Sequence, residues 1–403
     1  MRTNRIAAAT LLGLTLWTAS PASADTFEWN LAGSGQWNAS ANWVRTDGTS
    51  RSYPNASGDV AKFIRNLGAD YTATVPSGAT YTVGKFVFQP KPYYYSKLTV
   101  ESGYNNTTAK LVLQDPSGTA TIEFLGRTSE VKFGNRYNAG LLTLDLKSDL
   151  LFTHALTGSN SVLVGFASDL QANTARFTTS AGKQDVIIRP TGTAALTVRS
   201  YSSLNTNLST WYVDGAASKL EIKSNEGLGH ADSDVVLQNG GTLGLSGSSF
   251  ALTHAVKGNG TLSASALTLD AGGVLAPGES VGALAINAAS LTLATGSELK
   301  IELASATSND LITTSCDVTL GGTLTLLPGY SPSASTTWTI LATAADKVIT
   351  GSFGNALPEG YSYAVVSNGA TGGQDLQVTY IPEPATLALL AVGGVGVLIR
   401  RRR

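Results

Sequence analysis

The side chains of this 403-residue chain with the chemistry for catalysis or metal binding are a few close carboxylate pairs, three histidines and one cysteine. The pairs are Asp145 with Asp149, Asp232 with Asp234, and Asp310 with Asp317. Glycoside hydrolysis takes two carboxylates at a set separation, and sugar-lyase chemistry takes acidic metal ligands beside a basic group. Each pair lies in or beside a turn-like segment, where Asp is favoured for hydrogen bonds to its own backbone. The expectation is therefore structural, with a polysaccharide-degrading enzyme as the rival reading. His154, His230 and His254 are too scattered for a metal set, and the echo between Leu151–Gly158 and Ala251–Gly258 makes His154 and His254 equivalent repeat positions. Cys316 falls within an expected strand, Leu311–Leu320, has no cysteine to pair with and no histidine within sixty residues; it reads as a buried, inert thiol. There is no nucleophile elbow, phosphate-binding loop or calcium-binding glycine repeat. No catalytic residue, metal site or cofactor is expected.

Binding chemistry is more visible. Residues 27–63 hold Phe27, Trp29, Trp37, Trp43, Tyr53 and Phe63. Indoles at this density close an apolar end, so a cap is expected. The sharper alternative makes Trp37 and Trp43 a sugar-stacking platform, with Asn42 or Asp59 hydrogen-bonding hydroxyls. Tyr93, Tyr94 and Tyr95 cannot all face inward on a strand, so at least one is exposed. The candidate glycan contacts are thus Trp37, Trp43 and Tyr94.

The elements that must position these residues are strands. Charged residues make up only 14% of the chain, against about a quarter in an ordinary domain, and glycine numbers 43. Short alternating runs rich in Val, Leu, Ile and Thr recur between Gly, Asn, Asp and Ser, among them 80–88, 97–100, 119–124, 186–189, 235–238 and 298–303. Leu-Thr-Leu recurs at 142–144, 267–269, 291–293 and 324–326, and Gly-Thr-Leu at 241–243, 260–262 and 322–324. Neighbouring spacings of 19 and 24 residues fit one rung of a solenoid. The expected fold is all-β: a right-handed parallel β-helix with rungs of about 22 residues and an aromatic N-terminal cap, with tandem β-sandwiches as the alternative. The segment 191–245, through Trp211–Ile222, Glu226–Gly229 and Asn239–Leu243, resembles the autotransporter-associated β-strand repeat. Leu275–Leu284 with Asn309–Leu311 and Leu320–Leu324 resembles the C-terminal part of the same proteins. The resemblance implies passenger-like β-helical architecture.

Both ends carry targeting signals. Arg2 and Arg5, the apolar run 6–17 and Ala22-Ser23-Ala24 read as a secretory signal cleaved after Ala24 by signal peptidase following passage through the Sec translocon. At the other end Pro382-Glu383-Pro384 is followed by the uncharged run 385–399 and by Arg400, Arg401, Arg402 and Arg403. Fifteen residues rise about 22 Å as a helix, short for a bilayer but extendable by snorkelling arginines, and the arginines stay cytoplasmic by the positive-inside rule. This tail resembles the PEP-CTERM sorting signal. That resemblance implies recognition of Pro382, Glu383 and Pro384 by an exosortase, transient inner-membrane anchoring, and transfer to the cell surface or extracellular matrix.

The chain therefore divides into a signal peptide (1–24), a Trp-rich cap with the first coils (25–90), a β-helix body (91–380) and the sorting signal (381–403). Six of the 27 basic and one of the 28 acidic residues lie in the two signals, so the part between carries a net charge near −6. Without a basic patch it has no footprint for nucleic acid. The expected function is a non-catalytic surface or matrix protein, structural or adhesive, associated with exopolysaccharide in a biofilm. A carbohydrate-binding module is the other alternative.

Overall fold

The computed structural model describes residues 24–382, apart from 32, 47–50, 65–69, 90–96, 104–107, 127–129, 135–139, 159–160 and 167–174. Among them the fold is nearly all β, with two short 3-10 turns and no α-helix. The strands follow the alternation in sequence. In Thr119–Phe124 the side chains of Ala120, Ile122 and Phe124 are buried while Thr121 and Glu123 face outward, the two-residue period of a strand with one wet face.

The described strands form two sheets of 14 strands, one of four and one of five. Pairing within them is parallel except at the ends. The first long sheet runs from Thr26–Trp29 through Val60–Phe63, Lys85–Phe88, Thr119–Phe124 and Asp149–His154 to Glu298–Ser305; the second runs from Gly35–Gln36 through Tyr71–Val75 and Lys97–Ser102 to Thr336–Thr343 and Gln374–Tyr380. The chain visits the sheets in rotation, so each strand pairs with one a full circuit later. That is the order a β-helix or solenoid produces.

The circuit length departs from expectation. Val131 pairs with Val164 and Val164 with Val198, steps of 33 and 34 residues. Further on, Val198 pairs with Leu220, Leu243 with Leu262 and Leu267 with Leu291, steps of 22, 19 and 24. The spacing of about 22 thus holds only for the later rungs. The earlier circuits include a strand of the four-stranded sheet (Thr80–Val83, Ala109–Leu113, Leu142–Leu146, Ala175–Thr178) and longer connections around it. The triplet Leu-Thr-Leu also marks no single position: it lies in the four-stranded sheet at 142–144, the five-stranded sheet at 267–269 and 291–293, and the first long sheet at 324–326. Alternating apolar and β-branched residues suit any half-buried strand, so the motif reports strand and not rung position.

Inside, like stacks on like. Phe63, Phe88 and Phe124 occupy paired positions of successive strands, with ring centroids 5.4 and 5.2 Å apart and planes within 11° and 20°. Phe133 stacks on Phe166 in the second long sheet at 5.0 Å. Offset stacking of this kind adds about 0.5–1.5 kcal/mol per pair beyond burial. Between the four- and five-stranded sheets the interior turns polar: Ser200, Asn205, Asn207, Ser209 and Ser233 are all buried. The Asn205 side chain accepts from the Phe177 backbone N–H at 2.8 Å and donates to the Gly227 carbonyl at 3.0 Å. Side-chain amides there replace the missing strand pairing, as buried backbone groups require.

Outside, charges join neighbouring rungs. Lys62 pairs with Glu28, Lys85 with Glu123, Lys110 with Asp145, Arg189 with Asp214, Arg199 with Glu221 and Lys257 with Asp234. Antiparallel strands close the ends. Trp43–Arg45 covers Thr26–Trp29 at the N-terminal end, and Tyr361–Ser367 joins Gln374–Tyr380 at the other.

Candidate functional site

The carboxylate pairs do not converge. Asp145 is buried in the four-stranded sheet, where it accepts from the Ser180 hydroxyl at 2.8 Å, the Ser180 N–H at 2.9 Å and the Thr178 hydroxyl at 3.1 Å. Burial alone would raise its pKa, but these bonds and the Lys110 charge outweigh it and hold the carboxyl below the usual range. Asp149 belongs to the first long sheet and accepts from the Asp185 N–H at 2.8 Å. Asp234 pairs with Lys257 at 2.6 Å, while Asp232 sits exposed in a turn, 3.4 Å from His230. Asp310 is buried, accepts from the N–H groups of Gly282 and Glu302, and has its pKa pushed up to about 6 by desolvation. Asp317 is exposed and accepts from the Val348 N–H.

His154 ends a strand of the first long sheet, whereas His254 lies between a strand of the five-stranded sheet and the next strand of the first long sheet. The two are not equivalent rung positions, because their octets fall on differently placed strands. Burial lowers both imidazole pKa values. Cys316 lies between strands Leu311–Thr314 and Asp317–Leu320, where one strand was expected. It is buried, 3.1 Å from the Thr314 hydroxyl, and burial raises its thiol pKa. Among the described residues no group of three or more His, Cys, Asp or Glu is placed to hold a metal ion.

The aromatic N-terminus is core. Trp37 and Trp43 are 0% and 5% exposed. Trp43 packs edge-on against Trp29 at 4.9 Å and Trp37 at 5.1 Å, and donates its indole N–H to the Trp37 carbonyl at 2.6 Å. Trp37 donates to the Pro54 carbonyl at 3.1 Å. Buried as they are, these rings offer no face for a sugar. Asn42 is buried and donates to the Gln36 carbonyl at 2.8 Å, and Asp59 is fully buried, so neither is turned toward a ligand. Tyr94 and Ala22 lie outside the described residues.

A groove of about 420 Å³ opens beside the corner after the first long sheet, lined by Gln238, Asn239, Asn259, Glu279, Ser280 and Val281 among others. Its amides are tied into the stack: Gln238 donates to Glu279 at 2.7 Å, Asn239 donates to Asp214 at 2.7 Å, and Asn259 accepts from the Asn239 N–H.

The last described strands pair antiparallel. Strand Gln374–Tyr380 is held between Thr336–Thr343 and Tyr361–Ser367, both antiparallel. Tyr380 packs on Tyr361 at 4.9 Å, and Tyr361 stacks on Trp338 at 6.5 Å. The Trp338 indole is fixed to the Ser305 carbonyl at 2.8 Å. Gly360 takes a φ of +81°, and a Cβ there would press on the Tyr380 ring; its carbonyl accepts from the Ile381 N–H at 2.8 Å. The next residue is Pro382. Ile381 is 59% exposed and Pro382 half-buried. Glu383, Pro384, the apolar run and the four arginines lie outside the described residues; among those described, no helix is long and apolar enough to cross a membrane.

Residues 381–403 match the PEP-CTERM protein-sorting motif. No curated protein matches the chain. The motif supports an exported protein that associates with the cell surface and is processed by an exosortase.

Proposed function

We propose that the chain is a non-catalytic structural or adhesive component of the cell surface or extracellular matrix, delivered by exosortase and associated with exopolysaccharide. The observation that carries this reading is the sorting motif following directly on the last strand of the body. Two features of the body favour a structural role. Six ion pairs tie neighbouring rungs together, and the body's carboxylate pairs are each turned to local partners. We infer that the rungs close as a right-handed β-helix of the autotransporter-passenger kind, with the Trp-rich segment as its cap. The rotation of parallel sheets supports this.

In this reading the helix at 385–399 anchors the chain in the inner membrane until the exosortase removes it. The test is fractionation of the producing cells with mass measurement of the mature C-terminus. The native protein should reach the surface or matrix without Arg400–Arg403. Glu383→Ala should keep its arginines and stay in the membrane fraction. Surface protein with an intact arginine tail would refute sorting by cleavage. Release of new sugar ends from bacterial polysaccharide by the purified protein would refute the non-catalytic reading.

A further inference from the structure

The first described strand begins at a buried ionic cluster. Asp25 and Asp59 are 1% and 0% exposed. One guanidinium serves both: Arg51 Nη2 lies 2.9 Å from Asp25 Oδ2 and 2.8 Å from Asp59 Oδ1. Asp59 also accepts from the Asn55 and Ala56 N–H groups at 2.9 and 2.8 Å. The Asp25 backbone nitrogen donates to Asp59 Oδ1 at 3.1 Å. In the unprocessed chain that nitrogen is a neutral amide, and burial raises the pKa of the Asp59 carboxyl it faces. Burying a net charge is costly unless it is paired.

We propose that removal of the signal peptide after Ala24 charges this cluster, the new α-ammonium of Asp25 pairing with Asp59 and locking the first strand onto the fold. The inference rests on the reading of residues 1–24 as a cleaved signal. Hydrolysis adds water across the Ala24–Asp25 bond: Ala24 leaves with a carboxylate, and the Asp25 nitrogen becomes an amine that takes up a proton. Its position is fixed without the preceding residues. The Asp25 carbonyl accepts from the Val60 N–H at 2.8 Å, and Thr26–Glu28 pair with Val60–Lys62. Ala24, by contrast, is exposed, so one retained residue moves the charge into solvent.

Among the described residues, the other charged groups nearby are engaged or set further off. Lys62 pairs with Glu28 and Lys85 with Glu123 on the adjoining strands. Arg45 donates to the Arg51 carbonyl at 3.4 Å, and Asp115 lies beside Gly84 on the following rung. An ammonium held by a carboxylate titrates above the ordinary α-amino range of about 7.7–8.0. Its contribution to stability is therefore present near neutral pH, disappears as pH rises through the folded-state value, and is lost in acid as Asp59, its pKa raised by burial, protonates.

The test compares otherwise identical full chains beginning at Asp25 and at Ala24. At pH 7 an amine-reactive ester should acylate the Asp25 terminus roughly tenfold or more slowly than the Ala24 terminus, since a rise of one pKa unit lowers the reactive free-amine fraction about tenfold. The Asp25 chain should also be the more stable at pH 7, and the gap should close above about pH 10. Asp59→Asn in the Asp25 chain should restore fast acylation. Equal acylation rates and equal stability for the two chains would overturn the proposal. N-terminal sequencing of the exported protein separates the premises: a terminus other than Asp25 refutes the cleavage reading, while an Asp25 terminus with ordinary reactivity refutes the ion pair alone.

Discussion

Replacing Trp43 by alanine should unfasten the N-terminal end of the molecule and leave the far end intact. Trp43 is 5% exposed and touches Trp29, Trp37 and Phe63, with ring centroids 4.9, 5.1 and 5.6 Å away. Removing a buried tryptophan costs about 3–5 kcal/mol. The Trp37 carbonyl also loses its 2.6 Å indole donor, which adds about 1–3 kcal/mol if the group stays dry. A loss of at least about 4 kcal/mol corresponds to about three powers of ten or more in the local opening constant. Rungs contact only their neighbours, so the penalty falls on the adjacent strands first. Hydrogen exchange read by mass spectrometry should show Thr26–Trp29 and Val60–Phe63 losing protection, with Glu298–Ser305 unchanged. Trp43→Phe should recover most of it, because the ring contacts survive and only the donor is lost. If Trp43→Ala left exchange at the first strands within threefold of the native protein, the indoles would not be acting as a cap. If it lowered protection evenly along the chain, the nearest-neighbour argument would fail.

Three further outcomes follow from particular residues. Burial raises the Glu101 pKa from the usual 4.5 to about 7, so the folded state binds more protons than the unfolded chain between those values and stability falls as pH rises across that window; Glu101→Gln should stabilise the protein at pH 8 by up to about 3 kcal/mol and change little at pH 4, as read from urea midpoints. Gly258→Ala should cost several times more than Gly158→Ala in the same assay: both take positive φ, but an added Cβ at 258 would strike the Leu237 carbonyl while the space at 158 is open, leaving only the left-handed penalty of roughly 1 kcal/mol. Ser180→Ala removes one of the hydrogen bonds that keep buried Asp145 ionised and should cost about 1–3 kcal/mol at pH 7, less in acid as the carboxyl protonates.

The strands were legible because their information is local. The run Thr119–Phe124 states its inward and outward faces in its own alternation, and the segment expected there has the boundaries observed. Runs that turn a corner were not resolved: 80–88 is two strands meeting at Gly84, and 311–320 is two strands parted by Ser315 and Cys316. A continuous apolar run does not reveal where the chain bends from one sheet to the next. The circuits of 33 and 34 residues stayed hidden for a related reason. Parallel partners are separated by a whole circuit, and the connections that set its length have no periodicity of their own.

By itself the sequence determined the β character, the later rung spacing and the C-terminal sorting motif, since each is written in contiguous residues and the motif is read as a linear pattern. Only the tertiary structure decided which side chains are available to act. Three tryptophans within fifteen residues favour a cap but leave a sugar platform open; the antiparallel strand Trp43–Arg45 folding back on Thr26–Trp29 puts them inside. Asp25, Arg51 and Asp59 are 26 and 8 residues apart in sequence and carry no motif. They meet because Thr26–Trp29 pairs with Val60–Phe63, which draws the head of the first strand against Asp59. Low charge marked the chain as unusual, and the structure pairs some of that charge across rungs, where stacking at strand spacing brings opposite charges within reach.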